Sequence, residues 1–266
     1  MSQNSPVFWR ILCFFGILLL VTLPVTVPLH LWLGQSAELG LGILLYLAFV
    51  LEVGWWGRRV WGLMHPYRSY GLIPMNIGEF LCGLAIALGS FSALLLLQVG
   101  LGWLRVQEVD LLPAIGSGAI TALGVGFAEE LLFRGWLLTE LEQDLSPSFA
   151  LWANSLIFAV LHFLKPLEVI LQTWVQFPGL VLLGVILVWM RRITGGRLSM
   201  AIALHSGLVW AYYIVNTTQW MVPNGTVPDW LTGIGGNPLA GLIGLTFLGG
   251  MALMVRSQLP ASGRST

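Results

Sequence analysis

Long uninterrupted apolar stretches dominate the chain, and a membrane-crossing helix needs about 20 mostly apolar residues. Ile11–Leu33, Phe80–Leu104, Leu145–Leu164, Val169–Met190 and the stretch after Leu198 meet that length without charge. Leu39–Gly57 joins them with Glu52 near its end, and Leu239–Val255 closes the series. Leu111–Leu138 also reads as a span, although it carries Glu129, Glu130 and Arg134. Eight helices are therefore expected in one all-α, polytopic bundle. The first apolar stretch is too long for a signal peptide, follows a single cation, Arg10, and holds Pro24 and Pro28, so a retained, kinked anchor is expected.

The polar positions orient the bundle. With the N-terminus inside, the inner segments hold Arg10; Arg58, Arg59 and Arg68; Arg191, Arg192 and Arg197; and Arg256 and Arg264. The outer loops hold only Arg105 and Lys165. That asymmetry predicts cytoplasmic N- and C-termini. The acidic stretch Glu140, Glu142 and Asp144 falls on the inner side against this trend, but acidic residues count little in the rule.

Composition sharpens the class. Of 266 residues, 57% are hydrophobic and 9% charged, with 12 Lys+Arg against 12 Asp+Glu. A soluble globule of this length could not hide so much apolar surface, and soluble domains run nearer a quarter charged. A nucleic-acid binder would show a basic face. Cys13 and Cys82, both in apolar runs, exclude a disulfide scaffold and a Cys-x-x-Cys metal site. There is no repeat of 20–50 residues and no second domain, so residues 1–266 read as one transmembrane domain in the lipid bilayer. The lack of matched broken helices argues against a transporter. A compact bacterial-type protein in a prokaryotic cell membrane is expected. Asn216-Thr217-Thr218 and Asn224-Gly225-Thr226 match the glycosylation pattern by chance, and Trp220 and Trp230 suit interface anchors.

Three charges at bilayer depth call for a reason, since each costs about 2.5–3.5 kcal/mol. Glu130 and Arg134 stand four apart on one helical face and can pair. Glu129 points about 100° away, unpaired, and needs water, a proton, a metal or a His. The bland alternative, a helix end at the interface, is countered by what else is available. Ser155, Phe158 and His162 form a stripe in the next apolar run, and His205 lies in another, Leu198–Tyr213. His30 and His65 sit near a span end and in a loop, where no chemistry is called for. One Glu and two His can bind a divalent cation, zinc being suited to these donors, or can activate water directly. Spacing does not choose between the two. His-Glu-x-x-His is absent. Ile115-Gly116-Ser117-Gly118 is a near miss for a serine-protease motif, with Ile115 where its first glycine would stand, and Gly124-Val125-Gly126 is followed by Phe127, so no aspartyl motif forms.

These motifs resemble the CPBP family of intramembrane proteases, also called the ABI or CAAX-protease family. The family pattern is Glu-Glu-x-x-x-Arg, then Phe-x-x-x-His, then His-x-x-x-Asn on separate helices. The chain has Glu129-Glu130-x-x-x-Arg134, Phe158-x-x-x-His162 and His205. The resemblance covers about residues 111–213, with helices 8–104 accessory. It implies Glu129 as the base activating water, and His162 holding that water or a metal. It also implies His205 stabilising the oxyanion, with Glu130, Arg134 and Phe158 in support. The substrate implied is a membrane-embedded or lipid-anchored polypeptide cut near its C-terminus or juxtamembrane segment, in a cavity open to cytoplasmic water. Val209 stands where the pattern has Asn, and it cannot donate to an oxyanion; Ser206 and Asn154 are the nearest substitutes. That departure keeps a second expectation open, a catalytically weak family member that binds membrane peptides as an immunity or scaffold protein.

Overall fold

The computed structural model describes residues 5–259, apart from the side chains of Gln35 and Ala37; Arg264, counted above among the inner cations, lies outside them. Its helices are α1 (Val7–Leu33), α2 (Glu38–Arg59), α3 (Pro66–Ser69), α4 (Ile77–Gly100), α5 (Leu112–Glu130), α6 (Leu138–Asp144), α7 (Pro147–Leu161), α8 (Leu167–Thr173), α9 (Phe177–Ile193), α10 (Ser199–Thr218), α11 (Asp229–Thr232) and α12 (Leu242–Ser257). Between α5 and α6 the helix continues as a π-helical segment, Leu131–Leu137, so Leu112–Asp144 is one rod of 33 residues. The apolar stretch read from sequence ends at Leu138, six residues before the rod does, because the helix continues through the polar residues up to Asp144.

A helix stands at each of the eight expected positions. Five are long and apolar enough to cross a membrane: Val7–Leu33, Glu38–Arg59, Ile77–Gly100, Leu112–Asp144 and Leu167–Ile193. Pro147–Leu161 and Leu242–Ser257 are apolar but shorter. Helix α10 is long enough but carries more polar groups. It packs against α4, α5 and α9, so protein rather than lipid surrounds much of it. Two glycines permit that packing. A Cβ on Gly126 of α5 would fall 2.2 Å from Ser206 Oγ, and one on Gly83 of α4 would fall 2.3 Å from the Met200 carbonyl. Small residues at membrane helix contacts let backbones approach in this way.

Polar contacts fix which helix ends lie together. At one end, the Asn76 N–H, just before α4, donates to Ser199 Oγ at 2.9 Å, and Arg197 pairs with Glu79. Arg10 at the start of α1 meets Glu140 and Asp144 at the end of α6, and Arg192 reaches Glu142 and the Pro147 carbonyl. This arginine-rich end resolves the anomaly of the acidic stretch, whose carboxylates are partners of the cations there. At the opposite end, β1 (Leu104–Val106) and β2 (Met221–Pro223) pair antiparallel and tie the far ends of α4 and α10 together. This two-stranded ribbon is the one addition to an all-α reading.

At the arginine-rich end α1 is held by a buried node. Arg10 Nε donates to Glu140 Oε2 at 2.8 Å, and its Nη2 donates to Asp144 Oδ1 at 3.0 Å and to the Glu140 carbonyl at 3.2 Å. Trp56 Nε1 and Trp61 Nε1 both donate to Glu140 Oε1, at 2.8 and 2.5 Å. Four residues beyond Arg10, Phe14 stacks on Trp136 of the π-helical segment with ring centres 3.8 Å apart.

Candidate active site

The site begins where α5 widens. A π turn shifts the backbone bonding to i→i+5 and often marks functional positions. The carbonyl of Phe133 accepts from Leu138 N–H and from Asn154 Nδ2 at 2.7 Å, so a side chain of α7 braces the widened segment. Inside this segment Arg134, fully buried, donates through Nη1 to Glu130 Oε1 at 3.0 Å and through Nη2 to the Gly184 carbonyl of α9 at 3.3 Å. The same Glu130 Oε1 lies 2.8 Å from His205 Nδ1 of α10. Phe158 of α7 fills the centre. Its ring lies 4.3 Å from the Arg134 guanidinium carbon, 4.5 Å from the His162 ring and 5.9 Å from the His205 ring. Cation–π attraction favours that Arg134 placement.

Glu129, on the adjacent face of the helix, points to both imidazoles. Its Oε2 lies 3.7 Å from His162 Nε2 and 3.8 Å from His205 Nε2. His205 is buried, whereas Glu129 and His162 keep 29% and 30% of their side-chain surface, enough to meet water. The protons on the rings follow from their other contacts. His162 Nδ1 lies 2.7 Å from the Phe158 carbonyl, which can only accept, so Nδ1 carries the hydrogen. His205 Nδ1 likewise donates to the carboxylate of Glu130. With both rings neutral, each Nε2 presents a lone pair toward Glu129 Oε2, which is itself buried and without a hydrogen-bond partner. Three acceptors thus converge on one point, which suits a hydrogen donor or a cation.

The separations suit one small bridging species. A water about 2.8 Å from each neighbour spans gaps up to about 5.6 Å. The donor set, two imidazole nitrogens and a carboxylate oxygen, is chemically right for zinc, and each Nδ1–H anchored on a carbonyl or carboxylate is the support such ligands take. Ligands of a tetrahedral zinc at about 2.0–2.1 Å stand about 3.4 Å apart, a few tenths less than the gaps here. Among the described residues no group of three or more His, Cys, Asp or Glu is drawn in closely enough to hold a metal ion.

A cavity of about 200 Å³ opens beside the two imidazoles, walled also by Leu183, Leu208, Val209 and Tyr212 and by Lys165, Gln176 and Asn237. It runs along α10 from His205 toward Tyr212, away from the arginine-rich end. The cavity therefore lies on the opposite side of the imidazoles from the arginine-rich end, which the sequence reading takes as cytoplasmic. The reason is the shortness of α7: it stops at Leu161, so His162 caps a helix end and the connection to α9 leaves a gap above it. Val209 faces this cavity. Neither sequence substitute for its missing amide does, since Asn154 is spent on the Phe133 carbonyl and Ser206 packs on Gly126. Ser155, on the stripe with Phe158 and His162, also faces elsewhere: it donates to the Leu151 carbonyl and packs on Gly184. Ser117 is remote from the site, donating to the Pro113 carbonyl. Tyr212 escaped the sequence reading, although its position seven residues after His205 puts both on one helical stripe.

No curated protein and no solved structure matches the chain significantly. A family does: residues 114–211, from the first turn of α5 into α10, match the family model described as Type II CAAX prenyl endopeptidase Rce1-like. That segment contains Glu129, Glu130, Arg134, Phe158, His162 and His205, while Tyr212 and Asn237 of the cavity lie beyond it, and over this stretch the membrane protein is similar to the CPBP, or CAAX-protease, family.

Proposed function

We propose that the protein is an intramembrane endopeptidase in which Glu129 activates a water against a peptide bond of a membrane-inserted or lipid-anchored polypeptide. The observation that carries this reading is the meeting of Glu129 Oε2 with two imidazole Nε2 atoms, on histidines that themselves line a cavity. Glu129 accepts a proton from the water as its oxygen bonds to the carbonyl carbon, and the carbonyl electron pair moves onto its oxygen. Collapse re-forms the carbonyl and breaks the C–N bond, and the proton passes from Glu129 to the leaving nitrogen. A water has two hydrogens to give, so with one aimed at Glu129 the other is accepted by the Nε2 of His162 or of His205, and Glu130 with Arg134 holds His205. In this reading all eight principal helices cross the bilayer, the arginine-rich end is cytoplasmic, and substrate enters laterally from lipid.

Zinc held by Glu129, His162 and His205 is the competing scheme, favoured by the donor chemistry and the anchored tautomers; it would supply Lewis acidity at the same point. Metal analysis of protein purified without chelators, and activity before and after chelation, separate the two. The non-enzymatic alternative, a peptide-binding member, draws on Val209. The test is cleavage of an internally quenched farnesylated peptide by the full chain in proteoliposomes. Cleavage abolished by Glu129→Ala supports the protease, and a wild-type chain that binds the peptide without cutting it overturns the reading.

A further inference from the structure

Attack of water on an amide leaves negative charge on the carbonyl oxygen, and that charge needs a positioned donor in a site this apolar. On the α10 wall of the cavity the side chains following His205 are Leu208, Val209 and Tyr212. Leu208 and Val209 have no donor. Tyr212 does, and its hydroxyl has no hydrogen-bond partner among the described residues. It stands two turns beyond His205 on the same stripe, and helical side chains lean back toward the N-terminus. The hydroxyl is thus carried toward His205. The remaining gap, about one to two helical turns, is what a water, a carbonyl carbon and its oxygen occupy in line. The other cavity donors, Lys165, Gln176 and Asn237, belong to or adjoin the connecting segments rather than α10.

We infer that Tyr212 is a catalytic residue of this protease, its phenolic O–H donating to the oxyanion from the position on α10 that follows the donor-less Val209. The inference rests on the protease reading above. No proton leaves Tyr212: the hydrogen bond forms as the carbonyl oxygen gains its electron pair and loosens as the C–N bond breaks. A rigid, mostly buried helix is a better platform for such a donor than a loop.

The experiment compares wild type, Glu129→Ala, Tyr212→Phe, Val209→Asn and the double variant Tyr212→Phe/Val209→Asn on the quenched farnesylated peptide in proteoliposomes, with thermal melts of each. Tyr212→Phe should lower kcat by about 100- to 1,000-fold, as loss of one oxyanion donor does, with KM and the melt unchanged. Adding Val209→Asn should restore at least about tenfold, because an amide then reaches the same oxygen from one turn closer. Retention of kcat within about threefold in Tyr212→Phe, while Glu129→Ala is inactive, overturns the inference and leaves the protease standing. So does a loss that Val209→Asn fails to restore, which would mark Tyr212 as structural. A wild type that does not cut removes both.

Discussion

Two buried charge clusters lie on the same long helix, Leu112–Asp144, and they are finished differently. At its end, Glu140 receives Arg10, Trp56 and Trp61, and no buried polar atom of Arg10 or Glu140 lacks a partner. Near its middle, Glu129 Oε2, Glu130 Oε2 and Arg134 Nε are buried without one. A saturated carboxylate has no lone pair to spare for chemistry. An unsaturated one is costly unless something binds there, because a buried polar group without a partner costs about 1–3 kcal/mol. The contrast separates a fastening from a candidate reaction centre with no appeal to motif.

Substitutions can break that contrast. Glu129→Ala should remove about 100- to 10,000-fold of the activity while leaving the melting temperature of the detergent-solubilised protein in place; full activity would show the middle cluster to be structural too. Arg10→Ala should do the reverse in kind, costing about 3–5 kcal/mol of stability because it strands Glu140 in the interior, measured by denaturant titration. An unshifted midpoint would mean that α1 is held by other contacts. Glu130→Gln should weaken the grip on His205 and lower kcat by about 10- to 100-fold, the usual effect of losing an imidazole's supporting partner, in steady-state kinetics. Asp144→Asn is the smallest: its carboxylate is one-third exposed, so about 0.2–1 kcal/mol is expected. That loss should shrink further in high salt.

Much of this was written locally and could be read. Apolar stretches gave the helices, Glu129, Glu130, Arg134, His162 and His205 each stood out because charge or imidazole is expensive in lipid, and Phe158 stood out by its spacing from His162. What stayed hidden depends on distance along the chain or on backbone detail. Glu140 looked like a loop residue because its partner Arg10 is 130 positions away. The π-helical segment leaves no mark in periodicity, since one widened turn shifts the pattern by about a residue. The side on which the cavity opens depends on where α7 stops, and Leu145–Leu164 reads as one uncharged stretch that runs past that point. Tyr212 was passed over for a different reason: in a chain with so many aromatic residues a tyrosine near a span end reads as an anchor.

The length of the Leu112–Asp144 rod has a mechanical consequence. At about 1.5 Å per residue its 33 residues extend about 50 Å, against a hydrocarbon layer of about 30 Å. The rod must lean, or overhang the lipid by several turns, and the Arg10 fastening fixes which end overhangs. Thicker or thinner bilayers would then change its slope by pivoting it about that fixed foot, raising or lowering Glu129 relative to the acyl chains. Lipid chain length would then be a mechanical input to the depth at which Glu129 sits.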